Sequence, residues 1–202
     1  STEATKPCTS QESCKPSGMA SSSTMDMNVP RLTTRNSNMP NFQPDSMNTF
    51  IYSSVLHEVY SYLGERTLKR LLHHTFTQLA PGGRMIIRDV VGPEAPKKSV
   101  LLKLRRDDGV ARGPIAKLST YHKFFRFATD FRPRSLIFSE KKINGEPCIR
   151  LSLRDAYEFL SKMTYTDSWA SEMHETFGFY SYADWLAVLG AEGFRIVKGS
   201  MP

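Results

Sequence analysis

Apolar positions are sparse over the first 40 residues and regular after them. Of residues 1–40, 21 are Ser, Thr, Pro or Asn; none is aromatic, and Val29 and Leu32 are the only aliphatic side chains larger than Ala. Such a stretch buries too little apolar surface to offset the entropy of ordering it, which predicts a disordered tail. Within it, residues 27–34 could at most add a short edge strand. The pattern changes at Pro40. Residues 48–56 form a β-branched and aromatic run behind the turn residues Pro44, Asp45 and Ser46, the signature of a buried strand. Residues 65–79 follow with Leu68, Leu71, Leu72, Phe76 and Leu79 spaced on one helical face. Ala80-Pro81-Gly82-Gly83 stops that helix, and residues 84–91 read as a second buried strand. Strand, helix and strand with short connections predict a βαβ unit and therefore a parallel sheet.

Beyond Gly92-Pro93 the pattern loosens. Residues 99–105 and 115–131 read as helices, and residues 135–138 and 148–153 as a hairpin about the Asn144-Gly145 turn signal. Residues 154–163 read as a helix with Ala156, Phe159 and Leu160 inward. A last helix starts at Ser181-Tyr182-Ala183-Asp184, carries Trp185, Leu186 and Leu189, and ends at Gly193; residues 194–197 then read as a final strand. The expected fold class is α/β, a partial doubly wound parallel sheet with an α+β insertion at about 97–180.

Composition narrows this picture. The chain has 202 residues, 40% of them hydrophobic and 11% aromatic, which suits one globular domain over 41–202 plus the tail at 1–40. No apolar run approaches the roughly 18–20 residues of a membrane-spanning helix, so no membrane partner and a cytoplasmic location are expected. Cys8, Cys14 and Cys148 form neither a disulfide framework nor a zinc quartet, and no metal is expected. The net charge of +7 is uneven: residues 97–155 hold 15 Lys and Arg against 6 Asp and Glu. That excess admits two readings, an anionic partner or a solvated insertion whose charges keep it in solution.

Three pieces in order resemble the second half of a class I S-adenosylmethionine-dependent methyltransferase. Ser53-Ser54-Val55-Leu56-His57-Glu58 looks like the family's fourth strand and its end beside the methyl donor. Leu79-Ala80-Pro81-Gly82-Gly83-Arg84 looks like its turn into strand five. Leu189-Gly190-Ala191-Glu192-Gly193-Phe194 resembles its turn into strand six. The resemblance covers about a third of the chain. It implies a Rossmann-like sheet, S-adenosylmethionine as cofactor, Ser53, Ser54 and Val55 as cofactor-binding residues, and a small-molecule acceptor. The chain departs from the family in having no Gly-rich turn upstream, with Gly18 the only glycine before Gly64. An incomplete form of such an enzyme, or a relative that has lost cofactor binding, is the resulting expectation.

Site candidates come partly from a general rule, that ligands in open α/β sheets sit outside the carboxyl ends of the strands. The rule selects residues 53–58 and 88–91. His57 and Glu58 could supply a general base for the acceptor, or His57 could be a packed or capping residue. Asp89 could bind the acceptor or simply form an ion pair. Residues 165–177 are the densest set of aromatic, acidic and imidazole groups. There Trp169 could give an apolar wall and Glu172, His174 and Glu175 polar anchors, or the segment could be an amphipathic helix with solvated carboxylates. At i and i+3, Glu172 and Glu175 would share a helix face, with His174 turned away. Two further functions stay open: an RNA or nucleotide methyltransferase, with Phe124-Phe125-Arg126-Phe127 reading bases and backbone, and a non-catalytic interaction module.

Overall fold

The structure, a computed structural model, describes residues 42–110, 113–198 and 200. The predicted tail and the edge strand at 27–34 therefore lie outside the described residues. The chain is mixed α/β, with a two-stranded parallel sheet and a three-stranded antiparallel sheet.

The first region contains strand β1 (Met47–Ser53), helices α1 (Leu56–Leu63) and α2 (Glu65–Gln78), and strand β2 (Leu79–Arg88). β1 and β2 pair in parallel, as the βαβ reading expects. The Pro-Gly-Gly turn does not end before the strand but forms a bulge inside it. The register jumps from Met47 opposite Leu79 to Thr49 opposite Arg84. Gly82 takes φ +80°, and a Cβ on Gly83 would stand 2.8 Å from the Ala80 carbonyl oxygen, so neither position suits a side chain. One face of the pair is covered: Tyr52, Met85 and Ile87 pack on a core of Leu56, Val59, Leu68, Leu72, Tyr180, Trp185 and Leu189. On the other face Ile51 lies opposite Ile86, and they are 67% and 50% exposed. The two strands are thus half-covered rather than buried, because the helices among the described residues lie on one side.

Helix α1 escaped the sequence reading for a local reason. Its first residues carry no capping side chain: Val55 occupies the cap position and makes no side-chain bond there. The cap comes from elsewhere in the chain, as described below. Gly64, at φ +81°, turns α1 into α2.

The second region holds strand β3 (Ser99–Leu102), helix α3 (Thr120–Asp130), strands β4 (Phe138–Ile143) and β5 (Glu146–Ser152), and helices α4 (Leu153–Lys162) and α5 (Trp169–Glu172). The sheet order is β3-β5-β4, all antiparallel, with Asn144-Gly145 at the β4–β5 turn as expected. The helix expected at 99–105 is instead β3. Its side chains alternate, Val100 and Leu102 inward on the core and Leu101 outward, which is the period of a strand. α3 and α4 cover the inner face, burying Phe124, Phe127, Ile149, Leu151, Ala156 and Phe159. Leu160, expected inward, is 43% exposed.

Helix α6 (Tyr182–Ala191) closes the chain's first core. The Ser181 hydroxyl accepts from the Asp184 backbone N–H and the Asp184 carboxylate accepts from the Ser181 N–H, a reciprocal cap. Residues 194–197 are not a strand. They face β2 across a groove of about 1210 Å³, lined by Ile86, Trp185, Leu189 and Phe194 among others, and pair with no strand among the described residues. One parallel bridge, Gly92 to Ser181, joins the two sides. Among the described residues the larger doubly wound sheet is therefore not formed, and no helix is long and apolar enough to cross a membrane.

Candidate functional site

The carboxyl ends of β1 and β2 meet at Asp89. Its side chain is 1% exposed and reaches back to the start of α1. Oδ2 accepts from the backbone N–H groups of Leu56 at 2.7 Å and Val55 at 3.1 Å, which caps the helix in place of a local residue. Oδ1 lies 2.6 Å from His57 Nδ1. Of the two readings offered for Asp89, the structure shows the ion pair, and through it Asp89 also orients His57.

His57 is buried, and both its ring nitrogens face carboxylates. Nε2 lies 3.5 Å from Glu175 Oε2, and the ring edge meets the Phe177 ring at 5.0 Å. Burial alone would lower the imidazole pKa. The hydrogen bonds and charges of Asp89 and Glu175 outweigh it and bring the value up to about 9. Burial works against ionisation of Asp89 too, yet the facing imidazolium holds its carboxyl below the usual range. At neutral pH the centre is an imidazolium between two carboxylates.

Around it stands a wider set of acidic groups. The Tyr62 hydroxyl donates to Glu175 Oε1 at 3.2 Å, and burial together with that carboxylate pushes the phenol up to about 12. Burial and the charge of Glu175 raise the carboxyl pKa of both Glu58 and Glu172. Glu172 Oε2 is a buried oxygen without a hydrogen-bond partner among the described residues. The Ser61 hydroxyl joins the two regions, donating to the His57 carbonyl and accepting from the Thr176 N–H, each at 2.7 Å.

The structure gathers His57, Glu58, Asp89, Glu172 and Glu175 at one place and leaves the other candidates apart. Trp169 sits in the second region's core against Phe127, its indole N–H donating to Asp130, so it is a packing residue rather than a pocket wall. His174 is exposed and turned away, as the spacing suggested. Glu175 lies beyond α5, so it meets Glu172 across a turn rather than along a helix face. Ser53 and Ser54 are exposed at the end of β1, with Arg88 Nη1 at 3.3 and 3.4 Å from their hydroxyls, and Ser54 takes the left-handed φ of +53°. Phe124 and Phe127 are fully buried and cannot stack on nucleic-acid bases.

The chain matches no family model, no curated protein and no solved structure. Among the described residues no group of three His, Cys, Asp or Glu is arranged to hold a metal ion.

Sequence reading passed over Tyr62 and Ser61, and also Glu158 and Lys162, which lie behind the site. Once α1 is known to be a helix, Ser61 falls on the His57 face by its i, i+4 spacing, so the missed helix hid it. Glu158 and Lys162 have the spacing of a solvated surface pair, yet each side chain is 0% exposed.

Proposed function

We propose that the chain supports methyl transfer from S-adenosylmethionine to a small-molecule acceptor bearing a protic heteroatom, within a doubly wound sheet larger than the strands described. The observation that carries this reading is the Asp89–His57 pair at the carboxyl ends of two parallel strands, where open α/β sheets place their ligands. The residues present fit one side of the cofactor. Ser53 and Ser54 offer exposed hydroxyls, and Arg88 adds a cationic group beside them. With Val55, these residues would hold that side. When bound, S-adenosylmethionine supplies an electrophilic methyl group.

The chain's own residues then align the acceptor and take its proton. Asp89 fixes the orientation of His57 through Nδ1, and Nε2, which the Glu175 carboxylate faces, is the atom that receives a proton. Because the imidazole titrates at about 9, it acts as a base only after losing its proton. Turnover therefore rises with pH toward a plateau above about 9, and His57→Gln removes that limb. The acidic side chains of Glu58, Glu172 and Glu175 favour an acceptor that brings hydrogen-bond donors, such as an amine or a hydroxyl compound.

Calorimetry of the 202-residue chain with S-adenosylmethionine tests the reading. Saturable binding that weakens on Ser54→Leu supports it, and absence of any binding heat at millimolar cofactor sinks it. A second reading, a non-catalytic interaction module, is favoured by the exposed Ile51–Ile86 face. It predicts concentration-dependent self-association or partner binding that Ile51→Lys abolishes, with no cofactor dependence.

A further inference from the structure

We propose that the buried Glu158–Lys162 pair is the positioning element of the candidate site, holding the 175–178 turn so that the Glu175 carboxylate faces His57. Four hydrogen bonds tie this pair to itself and to the turn. Lys162 Nζ donates to Glu158 Oε2 at 2.5 Å and to the Glu175 carbonyl at 3.0 Å. Glu158 Oε2 accepts from the Phe177 N–H at 3.0 Å, and Oε1 accepts from the Gly178 N–H at 2.8 Å. The ammonium also sits over the Phe177 ring, 3.8 Å from its centroid, and that same ring abuts His57. The backbone from the Glu175 carbonyl through Gly178 is thereby pinned to α4.

The energetics argue that this is more than a stabilising contact. Two charges wholly removed from water carry a desolvation penalty that their attraction repays only with good geometry, and an apolar pair of equal volume often stabilises as well or better. Burial does push the Lys162 ammonium toward losing its proton, against the opposing charge of Glu158. What an apolar pair cannot do is satisfy two amide N–H groups and a carbonyl in one turn, and so fix where Glu175 points. A Cβ on Gly178 would stand 3.3 Å from Glu158 Oε1, so the backbone approaches the carboxylate more closely than most residues allow.

The charged groups around His57 come from every neighbouring element. Asp89 faces it from the end of β2, Glu58 from its own helix, Glu172 from α5 and Glu175 from the turn, with Lys162 beyond on α4. Of these, Glu175 is the one whose backbone the buried pair holds. Lys162 and Glu158 are positioning residues here, since neither touches the imidazole. This inference rests on the His57–Glu175 pairing and not on methyl transfer, so absence of cofactor binding would leave it standing.

The test is an NMR titration of the His57 ring in the full chain and in variants, with far-UV circular dichroism as the fold control. Glu175→Gln should lower the His57 midpoint by about one pH unit, because it removes one of two facing charges. The double variant Glu158→Gln with Lys162→Met keeps the volume and leaves no lone buried charge, so it is expected to fold. It should lower the midpoint by a similar amount while Glu175 itself is intact. A folded double variant with an unchanged midpoint would overturn the positioning role, and so would a Glu175→Gln chain whose midpoint does not move. A purely structural role for the pair would change stability and leave the titration alone.

Discussion

The two regions of this molecule solve the same problem, covering a small sheet, to different degrees. The antiparallel β3-β5-β4 sheet packs two long helices on its inner face and encloses four phenylalanines, among them Phe124 and Phe127 with no exposure. The parallel β1–β2 pair is covered on one face and leaves Ile51 and Ile86 open on the other. Antiparallel sheets tolerate one solvated face, whereas parallel strands are ordinarily covered on both. The contrast teaches that local hairpin pairing completes the second region from within, while the first region's strands are shaped for more cover than the described residues provide. Between the regions, polar and charged contacts join α1 to the turn, where His57, Ser61 and Tyr62 meet Glu175 and Thr176, and the Phe177 ring packs on His57.

The comparison can be broken at several points, beginning with the largest expected effect. Phe124→Ala in the closed core should cost about 3–5 kcal/mol in denaturant unfolding, since it deletes a fully buried ring that packs edge-on against Phe138 and Phe159. A loss under about 1 kcal/mol would show that this core is not the tightly packed one. Asp89→Asn should come next, at about 3 kcal/mol, because it strips the buried imidazolium of its closest counter-charge and weakens the cap on α1. The deficit should shrink above pH 9, where His57 is neutral, and an equal deficit at pH 7 and pH 10 would contradict the charge argument. Ser181→Ala should cost about 1 kcal/mol through the lost cap on α6. Ile51→Thr, on the open face, should change stability by about 0.5 kcal/mol or less, and a core-sized loss there would mean the face is covered after all.

Much of the parallel unit was legible because it is local. The leucine stripe of α2, the β-branched run of β1 and the Pro-Gly-Gly sequence each carry their own period or turn chemistry. The Asn144-Gly145 turn was legible for the same reason. What escaped depends on partners distant in sequence. Helix α1 is capped by Asp89, more than thirty residues away, and β3 is a strand because β5 lies beside it. Residues 194–197 have strand composition but pair with no strand among the described residues, so propensity alone misled. The site shows the same division. The rule about strand ends selected His57 and Asp89, and composition selected Glu172 and Glu175. Trp169 looked like the same cluster in sequence and went instead to the neighbouring core.

A folded-state pKa above the ordinary value means that His57 adds stability in full below about pH 6.5, and that this contribution, on the order of 3 kcal/mol, is lost as pH rises through about 9. That contribution belongs to the junction between the two regions, so the protonation of this one ring reports directly on whether they are joined as described. Ring-proton NMR across pH 5–11, with His57→Gln to assign the resonance among the five histidines, measures it. The account predicts one imidazole titrating near 9 that disappears in the variant. His57 titrating at its ordinary value near 6.5 would contradict it.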